Sequence, residues 1–171
     1  MKKLTFAMLM VSLIVGCRRT AQMNSVATAN SESRAIASVN VVKATPEQAT
    51  IDGGGSADAI VRLVINKGYH LNANPPTYPY LKATELEITP AGGISVDFIS
   101  YPNAIAKKFP FAENPLAVYE GDTTLEVRLK AATGTARGPQ NLRAKLRVQA
   151  CDDQVCYAPG TLDLVIPVNV Q

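Results

Sequence analysis

Cys151 and Cys156 lie in the run Ala-Cys-Asp-Asp-Gln-Val-Cys-Tyr-Ala-Pro, between the strand-like stretch Leu142–Ala150 and a further apolar run. Two thiols with four residues between them can close a disulfide only where the chain folds back at once, so Asp152, Asp153 and Gln154 must turn. The bridge would link neighbouring strand ends at the usual Cα separation of about 4.4–6.8 Å. As a staple it is weak, because a closed loop of roughly six residues removes only about 2 kcal/mol of chain entropy from the unfolded state. A short, accessible pair of little stabilising value points to thiol–disulfide exchange, with a purely structural bridge as the competing reading. In exchange, one thiolate attacks a partner's disulfide and the second cysteine resolves the mixed disulfide. Either cysteine could open the reaction.

The neighbours bear on that chemistry. Asp152 and Asp153 raise a nearby thiol pKa by like-charge repulsion, which suits a pair switched on by the partner's thiolate. They either carry protons during exchange or simply shape the turn, as Asp commonly does. His70, the only histidine, could join Cys151 and Cys156 in a three-ligand zinc or copper site. The commoner role for such a residue is a strand or loop position making one hydrogen bond, so no metal or other cofactor is expected. One histidine and no nucleophile elbow leave no Ser/His/Asp set to assemble. Gly53-Gly-Gly-Ser lacks a following Lys and helix and is a turn, not a phosphate cradle. Asn74-Pro-Pro and Tyr78-Pro-Tyr make a Pro/aromatic loop, a rigid connection between strands or else a partner surface.

The compartment follows from the N-terminus. Residues 1–16 carry Lys2 and Lys3 and then the apolar stretch Leu4–Val15, the n-region and h-region of a secretory signal. The apolar stretch falls short of the roughly 20 residues a membrane-spanning helix needs. The junction Leu13-Ile-Val-Gly-Cys17 is similar to a bacterial lipobox, which makes Cys17 the lipidated first residue and leaves Cys151 and Cys156 as the one pair. An envelope compartment permits that pair to oxidise. Without residues 1–16 the chain has 15 Lys+Arg against 14 Asp+Glu, a net charge of +1, so no basic cluster suggests nucleic acid. Residues 17–38 are rich in Ala, Ser, Thr and Asn, a lipid-anchored tether with a coil reach of about 25 Å.

From residue 39 the pattern is that of short strands: Val39–Thr45, Ala59–Asn66, Ala83–Thr89, Gly93–Ser100, Thr124–Lys130, Leu142–Gln149 and Leu162–Val168. Leu125, Val127 and Leu129 alternate with Glu126, Arg128 and Lys130, and Leu142, Ala144, Leu146 and Val148 alternate with Arg143, Lys145 and Arg147. Such period-two alternation buries one face of an antiparallel sheet. Turns are expected at Asp52-Gly-Gly-Gly-Ser, Asn74-Pro-Pro, Pro90-Ala-Gly-Gly, Gly121-Asp and Gly138-Pro-Gln-Asn. No stretch has a helical period with caps. The fold class is therefore all-β, an immunoglobulin-like antiparallel β-sandwich over residues 39–171.

Several pieces of this region resemble the N-terminal periplasmic domain of the thiol:disulfide interchange protein DsbD family. They are Gly68-Tyr-His-Leu-Asn, Leu86-Glu-Ile-Thr-Pro, the stretch from Tyr101-Pro to Phe109-Pro-Phe, Val118-Tyr-Glu-Gly, and Val148-Gln-Ala-Cys-Asp-Asp-Gln-Val-Cys-Tyr-Ala-Pro-Gly-Thr. The last piece is the specific one. The resemblance implies an immunoglobulin-like sandwich whose Cys151/Cys156 pair accepts reducing equivalents from a membrane-embedded thiol donor. It would pass them to thioredoxin-like periplasmic proteins. It also implies a loop whose aromatic side chain, Phe109 or Phe111, caps the cysteines. The loop Ala104–Pro115 departs from the family in length and composition, and Ala158 stands where a second proline is common. Family members continue into a polytopic membrane domain and a thioredoxin-like domain. Ending at Gln171, this chain is expected to take its electrons in trans, to work in a simpler exchange, or to have lost the redox function while keeping the fold, in each case as a lipid-anchored module facing the periplasm. The competing expectation is a non-catalytic sandwich lipoprotein that binds another envelope protein.

Overall fold

The computed structural model describes residues 38–171, so the signal segment, Cys17 and nearly all of the tether lie outside the described residues. Twelve strands run in chain order: β1 (Val42–Pro46), β2 (Ala49–Ile51), β3 (Ser56–Ile65), β4 (His70–Asn72), β5 (Glu85–Ile88), β6 (Ile94–Ser100), β7 (Ile105–Lys107), β8 (Leu116–Tyr119), β9 (Asp122–Ala131), β10 (Gly138–Val148), β11 (Ala150–Cys151) and β12 (Gly160–Val170). Among these described residues no helix is long and apolar enough to cross a membrane.

The strands form three four-stranded sheets, ordered β1-β3-β9-β6, β2-β12-β10-β5 and β11-β4-β8-β7. The alternation read in the sequence decides how the first two face each other. Leu125, Val127 and Leu129 of β9 and Leu142, Ala144, Leu146 and Val148 of β10 are all buried in one continuous core, while the charged residues between them point outward. The long antiparallel ladder from Gly138↔Val170 to Val148↔Gly160 fixes the register of β10 against β12.

Three expectations need correction. Gly138-Pro-Gln-Asn is not a turn: it starts β10, because the Val170 end of β12 is there to pair with it. The second sheet is not purely antiparallel, since β2 runs parallel to the end of β12 through Val168↔Ala49 and Val170↔Ile51. Five short strands, β2, β4, β7, β8 and β11, were not expected at all. Two to four residues hold too little alternation to show a period, and their pairing comes from tertiary contacts.

Four of those five make up the third sheet, and it carries the cysteines. Its strands divide their side chains by the two-residue period. Ala117 and Tyr119 of β8, Leu71 of β4 and Ala150 of β11 pack on the main core. Leu116 and Val118 of β8 and Cys151 of β11 point the other way, into a second, smaller cluster with Leu81 and Phe109. The turns feeding this sheet are tight. Gly68, at φ +88°, closes the turn in which Tyr69 N–H donates to the Asn66 carbonyl at 3.1 Å, and Gly121, at φ +62°, links β8 to β9.

Candidate redox site

The pair is a disulfide: Cys151 and Cys156 are bonded across a hairpin, with their Cα atoms 3.9 Å apart. That is closer than the separation expected from the sequence, because the two residues form an isolated antiparallel bridge and stand directly opposite one another. Asp152 N–H donates to the Val155 carbonyl at 3.0 Å, so the turn expected over 152–154 narrows to Asp153-Gln154 at its tip. The pair is not evenly accessible. Cys151 is 0 % exposed, whereas Cys156 is half-buried.

Asp152 does the work of a turn former. One of its oxygens accepts the backbone N–H groups of Gln154 and Val155 at 2.8 and 2.9 Å. The other accepts the Tyr157 hydroxyl. Desolvation pushes the Asp152 carboxyl up, but these hydrogen bonds outweigh it and hold the group below its usual range. The same bond to Asp152, helped by desolvation, pushes the Tyr157 phenol up to about 12. A carboxylate held low is a poor proton carrier near neutral pH. Asp153 is exposed, 3.7 Å from the Lys107 ammonium of β7.

The loop after β7 supplies the aromatic side chains. Phe109 is 0 % exposed and Phe111 is 42 % exposed, with ring centroids 5.2 Å apart. Phe109 packs in the small cluster with Cys151, and the Lys107 ammonium lies 5.7 Å over its ring. Phe111 instead lines an open cleft of about 520 Å3 together with Cys156, Val155, Leu116, Tyr78 and Tyr80. Phe109 thus shares the small cluster with both cysteines, whereas Phe111 lines the cleft beside Cys156. Lys108 clamps the loop through its ammonium, which donates to the Ala112 carbonyl at 2.7 Å and to the Glu113 carbonyl.

The Pro/aromatic loop, read from the sequence as a rigid connection or else a partner surface, forms the opposite wall of that cleft. The Pro/aromatic loop follows the cis Asn74-Pro75 bond, stacks Tyr78 on Tyr80 at 5.2 Å and ties itself to the phenylalanine loop through Asn114 Nδ2 donating to the Tyr78 hydroxyl at 3.1 Å. Tyr80 is 72 % exposed beside the cysteine hairpin's cleft. The signal was the density of Tyr and Pro over residues 75–80, which is a surface composition as much as a rigid connection.

His70 sits in β4 in register with Cys151. Its ring is buried, meets Phe109 edge-on at 5.3 Å, and carries Nε2 at 3.0 Å from Glu120 Oε2. This is the single-hydrogen-bond arrangement, and both sulfurs are committed to each other. Among the described residues no group of three metal-ligating side chains converges.

Residues 39–165 match the family described as thiol:disulfide interchange protein DsbD, N-terminal. The chain belongs to that family. Among solved structures it is similar to the N-terminal periplasmic domain of ScsB from Proteus mirabilis, at 19 % identity and a TM-score of 0.50, over 75 % of this chain. The chain spans 45 % of that structure's length. It also matches the reduced N-terminal domain of DsbD from Neisseria meningitidis, at 23 % identity and a TM-score of 0.47, over 74 % of this chain and 86 % of that one. None of the curated proteins matches the sequence.

Proposed function

We propose that this DsbD N-terminal-type domain is a thiol:disulfide exchange module of the bacterial cell envelope, working through Cys151 and Cys156. The observation that carries the reading is the asymmetry of the pair: Cys156 lines an apolar cleft open to a partner, while Cys151 is sealed behind it. A bridge that only pinned a hairpin would gain nothing from placing Cys156 in the lining of a cleft that exposed Tyr80, Phe111 and Val155 share.

The reaction balances as follows. A partner thiolate attacks Cys156 Sγ, a partner–Cys156 disulfide forms, and the Cys151–Cys156 bond breaks with its electron pair and then a proton going to Cys151. The partner's second thiolate attacks its own sulfur in the mixed disulfide and expels Cys156. Two electrons and the one proton on Cys151 have entered the domain, Cys156 is left as the thiolate, and the partner leaves as a disulfide. Run in reverse on a second partner's disulfide, the same steps pass them on. Attack at Cys156 places the incoming sulfur where space exists and lets the buried cysteine act as resolver.

The reading extends to the setting. A membrane-embedded thiol carrier would supply electrons and thioredoxin-like proteins of the periplasm would receive them. The lipidated Cys17 and the tether of residues 18–38 would hold the sandwich, with its boundary at residue 39, beside the membrane. The full burial of Cys151 favours a second reading, a structural disulfide in a tethered binding domain.

The reduction potential separates the two. The purified chain is equilibrated in glutathione and dithiothreitol buffers, and free thiols on the Cys151/Cys156 peptide are trapped. A value of about −200 to −270 mV is expected for an exchange pair, and resistance to reduction beyond about −300 mV would leave the structural reading standing alone.

A further inference from the structure

Asn72, in the middle of the third sheet, is fully buried beside the disulfide, with its side-chain Oδ1 3.7 Å from Cys151 Sγ. Its orientation is dictated from outside by two backbone groups that have no choice of role. The Lys82 N–H can only donate, and it donates to Gln149 Oε1 at 2.7 Å. The Tyr157 carbonyl can only accept, and it accepts from Gln149 Nε2 at 2.9 Å. Gln149 is thereby fixed with its oxygen toward Asn72. Asn72 Nδ2 must then donate to it, at 3.0 Å, which turns Asn72 Oδ1 toward the sulfur. In the disulfide Cys151 has no hydrogen to give. Among the described residues, Oδ1 is then a buried acceptor whose polar neighbour cannot donate, a state that costs free energy.

We infer that Asn72 and Gln149 are positioning residues for exchange: reduction gives the buried Oδ1 the donor it lacks, and the resulting hydrogen bond keeps the proton on Cys151. The consequences follow from which form each group favours. A carbonyl oxygen facing sulfur stabilises the thiol and repels the thiolate, so Cys151 stays protonated and Cys156 carries the thiolate of the reduced pair. The dithiol form gains one hydrogen bond that the disulfide form does without, so reduction is favoured relative to a site lacking Asn72. The inference deepens the exchange reading above and rests on it for its functional meaning.

The test uses the purified chain with Cys156→Ser, which frees Cys151 and removes coupling between the two thiols. The Cys151 titration is followed by the 13Cβ shift. Asn72→Leu removes Oδ1 while Gln149 Oε1 keeps the Lys82 N–H. The expected result is a Cys151 midpoint lower by about 0.7 pH units, the equivalent of one hydrogen bond. In the otherwise native pair, Asn72→Leu lowers the equilibrium constant for reduction by dithiothreitol about fivefold. Gln149→Leu unlocks the Asn72 amide and lowers the Cys151 midpoint at least as far. An Asn72 that merely packs would change the unfolding midpoint and move neither quantity, and that result overturns the inference. Should the variants fail to fold, the native side chains still test it: Cys151 titrating at or below the midpoint of Cys156 in Cys151→Ser overturns it. A native pair with the potential of a structural bridge would sink the exchange reading while leaving the order of these midpoints to be read independently.

Discussion

The hairpin's chemistry turns on a few side chains whose charges are fixed by hydrogen bonds. Asp152 is held as a carboxylate, net of desolvation, by Tyr157 and two backbone amides, and Tyr157 is held as a neutral phenol by Asp152. The linkage has a definite sign at each end of the pH scale. A carboxyl whose folded pKa lies below 3.8 adds stability that is present above that pH and lost as pH falls through the depressed value. A phenol raised from 10.0 to about 12 adds stability that is present below pH 10 and lost as pH rises from there to about 12. Tyr157→Phe should therefore shrink the alkaline loss, leaving the part owed to the buried Tyr119 phenol, and shrink the acid one, at a cost of about 1 kcal/mol near neutrality once solvent screening is allowed for. Urea unfolding of both proteins from pH 3 to pH 12 reads all three effects, and an unchanged alkaline limb would remove the Asp152–Tyr157 bond from the account. Burial makes a separate prediction for the sulfurs. In the reduced chain iodoacetamide should modify Cys156 at least about tenfold faster than Cys151, checked by timed quenching and peptide mass analysis, since thiol reactivity follows thiolate character and access.

The phenylalanine loop and the Pro/aromatic loop close on the hairpin from two sides, and their substitutions should behave differently. Phe109 is sealed in the small cluster, so Phe109→Ala should cost about 3 kcal/mol and loosen the whole flap. Phe111 lies on the cleft wall, so Phe111→Ala should cost less than about 1 kcal/mol yet speed reduction of the disulfide by dithiothreitol several-fold. Equal rates for Phe111→Ala and the native chain would show that this ring does not guard Cys156. How far the elements could be read beforehand varies with their length. β3, β9, β10 and β12, with ten or eleven residues each, declare themselves through alternation. The site's own strands do not: β4, with all three residues buried, shows no alternation, and β11 is two residues long. The cysteine pair and its turn were legible because their spacing forces a hairpin. The Asn72–Gln149 link was not, because it joins residues 77 positions apart in sequence through side-chain amides. That Phe109 is buried and Phe111 exposed likewise depends on where β7 and β8 pair.

At the scale of the molecule, the two clusters have separate duties. The main core runs through all three sheets and contains neither cysteine, whereas Cys151 and Cys156 belong to the small cluster on the outer face of the third sheet. Opening the bridge therefore removes no buried apolar contact from the main core, and what is lost is the closure of a short loop, worth about 2 kcal/mol. A domain that cycles between disulfide and dithiol needs this separation, since both forms must be folded to dock on successive partners. Urea unfolding in the presence and absence of dithiothreitol should give single transitions with the same slope. The midpoint should fall by about 1 M on reduction, from that loop term and a typical slope near 2 kcal/mol per M. A reduced chain that unfolds outright, or unfolds with a much shallower slope, would mean that the third sheet depends on the bridge for its integrity. The disulfide would then be a staple, and the burial of Cys151 would be explained by stability instead of by the order in which the two sulfurs react.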